Sequence, residues 1–219
     1  MSVAGDEAGA SDRAFALLQE LLPQHLMSRT MHRLARSTQP LLRTSLIRAV
    51  LRAYPMIDLR EAAEADPFAY PSFNAFFTRA LRPDARPLAG GERDVVSPVD
   101  GTLSQSGTIR DGQLLQAKGM HYTVGALLAD ESATARYAGG GYACIYLAPY
   151  NYHRIHMPLA GRLTTTRYVP GQLFSVNAAT ARTIPGLFAR NERVVCEFET
   201  ELGPLAMVLV GALFVGSIE

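Results

Sequence analysis

Apolar residues in the first part of the chain recur at helical spacing. From Asp12 they return every three or four positions until a proline interrupts the series, and a second series runs over residues 24–37. A third series begins after Pro40. This pattern predicts amphipathic helices across residues 12–64, preceded by a small, polar segment over residues 1–11 that we expect to be disordered.

Beyond residue 65 the hydrophobic pattern changes. Ser72 precedes a short aromatic run that reaches Leu81 at helical spacing, and it stands where the N-cap of that helix belongs. Later apolar runs alternate with Gly, Pro and Asp turns, which is typical of antiparallel strands. These runs occupy residues 95–97, 102–109, 113–117, 142–148, 161–169, 193–199 and 205–215, with a helical insert at 123–129. We therefore predict an α+β fold, in which N-terminal amphipathic helices are followed by a mainly antiparallel, β-rich domain over residues 65–219.

The charge of the chain is uneven rather than large. Its formal net charge is +1, which gives no electrostatic support for binding nucleic acid. From Arg29 to Arg60, however, seven arginines stand against one acid, Asp58. Helices with an apolar stripe flanked by cations either pack on a domain surface or anchor a protein on an anionic membrane, and the arginine excess favours the anchor.

The sequence contains neither a recognisable secretory signal nor a candidate membrane span. Its first residues lack the basic start and apolar core of a signal peptide. The longest apolar stretch, Gly203 to Ile218, is shorter than the roughly 20 residues that a spanning helix needs. Cys144 and Cys196 lie in apolar runs without CxxC spacing, as expected of reduced core residues. We expect a peripheral protein on the cytoplasmic face of the cell membrane.

Two histidines three positions apart stand out within residues 148–158. His153 and His156 lie between two prolines, beside tyrosines and an arginine, and imidazole is the side chain most readily tuned to transfer protons near neutral pH. A purely structural role for either histidine is the alternative. A metal site is disfavoured, because residues i and i+3 of a strand point to opposite faces and the prolines leave little room for a helix.

Asp100 is the carboxylate that we pair with this segment. It lies in the turn Ser97-Pro-Val-Asp-Gly101, and because Asp-Gly is a common turn dipeptide, a plain turn is the alternative. Bound to one nitrogen of His156, it would set the imidazole tautomer and leave the other nitrogen to take a proton from a nucleophile. No serine, threonine or cysteine of the chain stands out as that nucleophile.

Several segments together resemble the bacterial type of phosphatidylserine decarboxylase. Each is a weak motif alone, but they follow one another in the family's order from about residue 70 onward. The segments are Ser72-Phe-Asn-Ala-Phe-Phe-Thr-Arg-Ala-Leu81, Ser97-Pro-Val-Asp-Gly101, Gln116-Ala-Lys-Gly119, Tyr152-His-Arg-Ile-His-Met-Pro158, Tyr168-Val-Pro-Gly-Gln-Leu-Phe-Ser-Val-Asn177 and Leu187-Phe-Ala-Arg-Asn-Glu-Arg193.

The resemblance implies a pyruvoyl enzyme that matures by cutting itself. In the family, residues matching Asp100 and His156 activate a serine in a Leu-Gly-Ser-Thr-type motif, and cleavage releases a β chain and a small α chain headed by the pyruvoyl group. That group forms a Schiff base with the amine of phosphatidylserine, and loss of carbon dioxide gives phosphatidylethanolamine. A histidine matching His153 then protonates the product carbon. The implied partners are an anionic membrane surface, the enzyme's own α chain and a second copy of the enzyme in a homodimer.

The sequence departs from the family at the processing serine. It contains no Leu-Gly-Ser-Thr motif, and its only Gly-Ser pair, Gly216-Ser217, matches a family segment upstream of the processing site. We therefore expect most of a β chain, with the processing serine beyond residue 219 and further residues or a separate polypeptide completing the last strand's sheet. The alternative is a non-catalytic lipid-binding protein on the same scaffold. A soluble hydrolase built on Asp100 and His156 would lack a nucleophile.

Two further features have both a functional and a structural interpretation. Lys118 would either contact a phosphate or be a solvated lysine. The cluster of Phe73, Phe76 and Phe77 would either line an acyl entrance or pack in the core, and we favour the core.

Overall fold

The computed structural model describes residues 9–88, 90, 91, 93–117, 119–216 and 218, and it begins with the three predicted helices. Helix α1 spans Ala10–Leu21 and α2 spans Gln24–Ala35, so the break falls at Pro23, as predicted. Helix α3 spans Pro40–Ala53, with its proline in the first turn, where no intrahelical N–H bond is lost. The segment 1–11 lies mostly outside the described residues.

Helix α4, Phe73–Phe77, is shorter than the aromatic spacing predicted. Its N-cap is the predicted one, because the Oγ atom of Ser72 accepts a hydrogen bond from the backbone N–H of Ala75 at 3.1 Å. Beyond the helix, the backbone of residues 80–82 forms two hydrogen bonds of 2.9 Å with that of residues 61–63. This pairing takes the place of the further helical turn that we expected.

The rest of the chain is built from short strands and helices. The strands are β1 Thr102–Thr108, β2 Gln113–Ala117, β3 Met120–Thr123, β4 Gly141–Tyr146, β5 Arg162–Val169, β6 Arg193–Thr200 and β7 Gly203–Val210. The remaining helices are α5 Val124–Leu128, α6 Ala133–Arg136, α7 Ala178–Thr183 and α8 Leu187–Arg190. The sequence pattern predicted six of these strands and the helical insert at α5.

The largest described sheet has the strand order β5-β6-β7, and both of its pairings are antiparallel. Gly203 begins β7 at a φ of 110°, a left-handed conformation that closes the tight turn from β6. Strand β2 pairs antiparallel with β3, and β1 pairs with β4. The predicted class is confirmed: N-terminal helices followed by a mainly antiparallel α+β region.

The chain forms two compact units that alternate along the sequence. One comprises the chain up to Arg29, Leu103–Tyr146 and the chain from Gly161 onward, and the other comprises Thr30–Thr102 and Leu147–Ala160. The core of the first unit holds Ile109, Leu114, Tyr122, Val124, Leu128, Ala133 and Val195. The second unit, which we call the histidine unit, buries Ile47 of α3 and Phe76 of α4 completely. The predicted division into segments 12–64 and 65–219 stays a prediction.

Candidate active site

The two histidines lie in a segment with neither helix nor strand, which begins with a tight turn. The side-chain Oδ1 of Asn151 accepts a hydrogen bond from the N–H of Ala148 at 2.8 Å, and the N–H of Asn151 donates to the Ala148 carbonyl at 2.9 Å. These reciprocal bonds reverse the chain after β4. They fix the backbone just before the histidines.

Two backbone hydrogen bonds align the histidine segment with the segment that precedes Asp100. The N–H of His156 donates to the Pro98 carbonyl, and the N–H of Val96 donates to the Pro158 carbonyl, each at 2.9 Å. Residues 95–97, predicted as a strand, are thus extended and paired, although too briefly to form a regular strand. The structure therefore brings the Asp100 turn and the histidines into the same compact unit.

The carboxylate of Asp100 is bound by Arg86. The Nε atom of Arg86 donates to both carboxylate oxygens, at 3.0 and 2.9 Å, and its Nη2 atom also donates to Glu61 at 2.8 Å. These two carboxylates raise the pKa of Arg86. Among the described contacts there is no hydrogen bond between Asp100 and His156, so their direct pairing stays a prediction.

His156 instead contacts a tyrosine. Its Nε2 atom lies 3.1 Å from the hydroxyl oxygen of Tyr152, and the two rings stack with their centroids 5.6 Å apart. Tyr152 is buried, whereas the side chain of His156 is exposed. The tyrosine therefore orients an imidazole whose remaining surface is open to solvent.

His153 has the opposite environment. Its ring packs on Phe77, with centroids 3.9 Å apart, and its Nε2 atom lies 3.0 Å from the Ala148 carbonyl oxygen. A carbonyl can only accept, so Nε2 carries the proton. Burial lowers the pKa of His153 to about 4, the positive charge of Arg79 acts in the same direction, and the carbonyl bond offsets part of the effect. At neutral pH this imidazole is therefore uncharged.

The aromatic cluster behind His153 is part of the core of the histidine unit. Phe76 is fully buried and packs edge-on against Tyr70 at a centroid distance of 5.7 Å, while Phe73 stacks with Phe77 at 5.9 Å. Phe73 and Phe77 are half-buried. Helix α4 thus supplies the apolar surface that keeps His153 neutral.

Two family models match this chain. One described as phosphatidylserine decarboxylase covers residues 73–219, from the first residue of α4 through Asp100 and both histidines. A second, described as PSD, covers residues 14–55 and therefore most of α1 to α3. The chain belongs to the phosphatidylserine decarboxylase family.

Similar members of the phosphatidylserine decarboxylase family come from Shewanella. The proteins of Shewanella sp. (strain ANA-3) and Shewanella baltica (strain OS155 / ATCC BAA-1091) are each 56% identical over 209 residues, which are 95% of this chain and 71% of theirs. The protein of Shewanella loihica (strain ATCC BAA-1088 / PV-4) is 54% identical, and the match covers 73% of it. All three are named phosphatidylserine decarboxylase proenzyme.

Sequence reasoning missed one polar partner at this candidate site and left another without a role. Arg86 lies in a stretch that the sequence pattern predicts to be a turn-rich linker. Its position in the sequence does not indicate a contact with Asp100. The sequence places Tyr152 next to the histidines, but only the fold shows that its hydroxyl contacts His156. Lys118 and Ser217 lie outside the described residues.

No described helix is long and apolar enough to cross a membrane. The described residues also include no group of three or more His, Cys, Asp or Glu side chains arranged to hold a metal ion.

Proposed function

We propose that this chain is most of the β chain of an enzyme that decarboxylates phosphatidylserine to phosphatidylethanolamine with a pyruvoyl group made from its own serine. The observation that carries the proposal is the match to phosphatidylserine decarboxylase proenzymes at 54–56% identity over 95% of the chain. The match covers 71–73% of those relatives. We propose that the processing serine lies beyond residue 219. The word proenzyme in their names supports maturation by cleavage.

The residues of the histidine unit fit a carbonyl cofactor of this kind. The pyruvoyl group supplies a carbonyl that takes up the substrate amine and an electron sink for the loss of carbon dioxide. For such chemistry the chain offers His153, a half-buried, neutral imidazole on an apolar wall, which suits proton transfer away from bulk water.

His153 is the residue that we assign to proton transfer during decarboxylation. Its low pKa means that it begins uncharged and must gain a proton before it can give one. The ammonium group of the substrate carries such a proton, which it must lose before the amine can react. We propose that His153 takes this proton and returns it to the carbon that has lost carbon dioxide.

Asp100 and His156 are assigned to maturation. His156 would take the hydroxyl proton of the processing serine, and Asp100 would support the imidazolium that results. Asp100 binds Arg86 and His156 contacts Tyr152, so a direct contact between Asp100 and His156 needs these side chains to rearrange. The ion pair with Arg86 is partly exposed, so this exchange has a small energetic cost.

The N-terminal helices support a peripheral membrane location, which we propose to be on the cytoplasmic face. Each exposes large apolar side chains, including Leu17, Leu18 and Leu21 of α1, Leu26 of α2 and Leu41 of α3. Arginines are frequent on α2 and α3. An anionic bilayer provides both an acyl boundary for the leucines and phosphates for the arginines. The α chain and a homodimer partner remain part of this proposal.

The test is intact-protein mass spectrometry of the product of the complete gene. We expect a large β chain and a small α chain whose mass fits an N-terminal pyruvoyl group. Asp100→Asn and His156→Asn should slow cleavage by about 100-fold or more, because a positioned acid–base group contributes that much. Asp84→Asn, at an exposed carboxylate near Arg82, is the matched control and should cleave normally. A single uncleaved wild-type species would favour a non-catalytic lipid-binding protein.

A further inference from the structure

Arg79 is a buried arginine whose Nε atom has no hydrogen-bond partner among the described residues. Arg79 is 4% exposed. In the described part of the chain, its guanidinium group forms no ion pair. The guanidinium lies over the ring of Phe76, 5.6 Å from the centroid. Burial lowers the pKa of Arg79, as expected for a cation removed from water. A buried guanidinium is costly unless an acceptor or an anion meets it.

Arg79 lines a pocket of about 350 Å³ together with a second arginine, Arg154. The Nε atom of Arg154 donates to the Thr78 carbonyl at 2.9 Å, which anchors the guanidinium at the pocket wall. No acceptor for its Nη atoms occurs among the described residues. Arg154 is exposed, so the pocket combines a deep cation with a second cation at its mouth.

The other polar groups of this pocket do not neutralise the two arginines. Glu64 is the one acid among the described lining residues, and its Oε1 atom already accepts the N–H of Asp66 at 2.8 Å. The hydroxyl of Tyr70 donates to the Glu64 carbonyl at 2.7 Å. Glu61 also acts on Arg79 electrostatically, but its carboxylate is paired with Arg86. The pocket therefore keeps an excess of positive charge.

We propose that this pocket binds a phosphate-type oxyanion between the guanidinium groups of Arg79 and Arg154. The planar fork of N–H donors on each guanidinium matches the geometry of phosphate oxygens. The ligand that we assign is the phosphodiester of the phospholipid substrate, so this assignment rests on the proposed function. Inorganic phosphate is the other source of the same chemistry.

An anion in this pocket would also act on the proposed proton carrier. The charge of Arg79 is one of the influences that disfavour protonated His153, and both residues lie in the histidine unit. A bound oxyanion offsets that charge. Burial remains the larger influence on His153, but occupation of the pocket would make this imidazole easier to protonate than it is in the empty pocket.

Binding to the pocket can be followed by NMR spectroscopy of the Nε–H group of Arg79. In the mature protein from the complete gene, labelled with ¹⁵N-arginine, the Nε–H signal of Arg79 is identified by its loss in Arg79→Lys. We expect this signal to shift with short-chain phosphatidylglycerol, which carries a phosphodiester but no amine to react. It should stay in place with short-chain diacylglycerol.

A shift of the Arg79 Nε–H signal with phosphatidylglycerol but not inorganic phosphate assigns the lipid headgroup, and a shift with inorganic phosphate alone assigns free phosphate. A signal unmoved by both, or moved equally by diacylglycerol, would overturn the site.

Kinetics provide the second measurement. Arg154→Gln and Arg79→Gln should each raise the KM for phosphatidylserine about tenfold or more with a smaller change in kcat, because each removes charged hydrogen bonds to the bound substrate. Arg82→Gln removes an equal charge at an exposed position of the same unit and should leave KM unchanged.

The two measurements separate the two proposals. Arg154 is exposed, so its variant remains informative even where Arg79→Gln fails to fold. An Arg154→Gln enzyme with the wild-type KM would count against the pocket as a substrate site. Wild-type protein that makes no phosphatidylethanolamine would refute the proposed function, while the Nε–H signal would still decide whether the pocket binds an oxyanion.

Discussion

The uncharged state of His153 makes the stability of the protein depend on pH. Burial lowers the pKa of this imidazole from an ordinary 6.5 to about 4, so the unfolded chain binds its proton more readily than the folded one. The free energy of unfolding should therefore fall as pH drops from about 6.5 to about 4, and His153 should account for about 2 kcal/mol of that loss after allowance for its partial exposure. Urea unfolding of wild type and His153→Gln across this pH range measures the difference.

His121→Gln is the matched control for this prediction. It also removes one histidine, but from an exposed position on β3. We expect His153→Gln to flatten the dependence of the unfolding free energy on pH more than His121→Gln does. If the unfolding free energies of His153→Gln and wild type depend on pH in the same way, folding does not lower the pKa of His153, and the prediction is wrong.

At the residue scale, the sequence offers candidate side chains but does not predict their contacts. Asp100, His153 and His156 could be chosen because carboxylate and imidazole carry proton chemistry and stand in turn-rich segments. Their contacts with Arg86, Phe77 and Tyr152 depend on how separate segments pack. Local sequence carries no record of that packing, so Arg86 looked like part of a linker.

At the scale of single elements, the short helix α4 depends on its cap. The Ser72 hydroxyl satisfies one of the backbone N–H groups that a helix of this length leaves without partners. Ser72→Ala should lower the free energy of unfolding by about 1 kcal/mol, which is about 2–4 °C in Tm for a chain of this size. Thermal unfolding followed by circular dichroism measures the shift.

Two further variants make this prediction specific. Ser72→Asp restores a capping oxygen and should recover much of the loss. Ser45→Ala makes the same chemical change at an exposed site inside α3, where alanine is a good helix former, and should not destabilise the protein. Equal losses from Ser72→Ala and Ser45→Ala would rule out capping as the cause.

Element prediction succeeded for the long elements and missed several of the short ones. Helices α1 to α3 are long enough for apolar spacing to recur, and β5 and β6 lie between clear turn signals. Strand β3 and helices α6 to α8 contain four to six residues each, too few to establish a period. The end of α4 was misjudged because residues 80–82 pair with residues 61–63, a contact that spacing within α4 does not encode.

At the scale of the whole chain, long-range contacts define the two compact units. Within the first unit, the side chain of Gln19 bonds to Ser175 across 156 positions, and Gln24 bonds to the N–H of Leu173 across 149. Both glutamines are buried, so these bonds tie α1 and the start of α2 to a distant loop. A pattern read along the sequence places α1 with its neighbours in the chain and cannot reveal this pairing.

Membrane attachment is a property of the whole molecule, and the arginines of the N-terminal helices should control it. Arg29, Arg33 and Arg52 are exposed. Replacing all three with glutamine should weaken binding to anionic vesicles about 100-fold, because each basic residue near an anionic surface contributes about 1 kcal/mol. Vesicle sedimentation with phosphatidylglycerol-containing liposomes measures the partition coefficient. Added salt should weaken wild-type binding in the same direction, because it screens these charges.

The control for this prediction removes the same charge elsewhere. Arg82, Arg110 and Arg162 are exposed but lie outside α1 to α3, so the triple glutamine variant at these positions has the same net charge. If attachment depends on local contact between the helices and the lipid, this variant keeps most of its binding. If both triple variants lose binding equally, the overall charge of the protein, and not local contact between the arginines of α1 to α3 and the lipid, controls attachment.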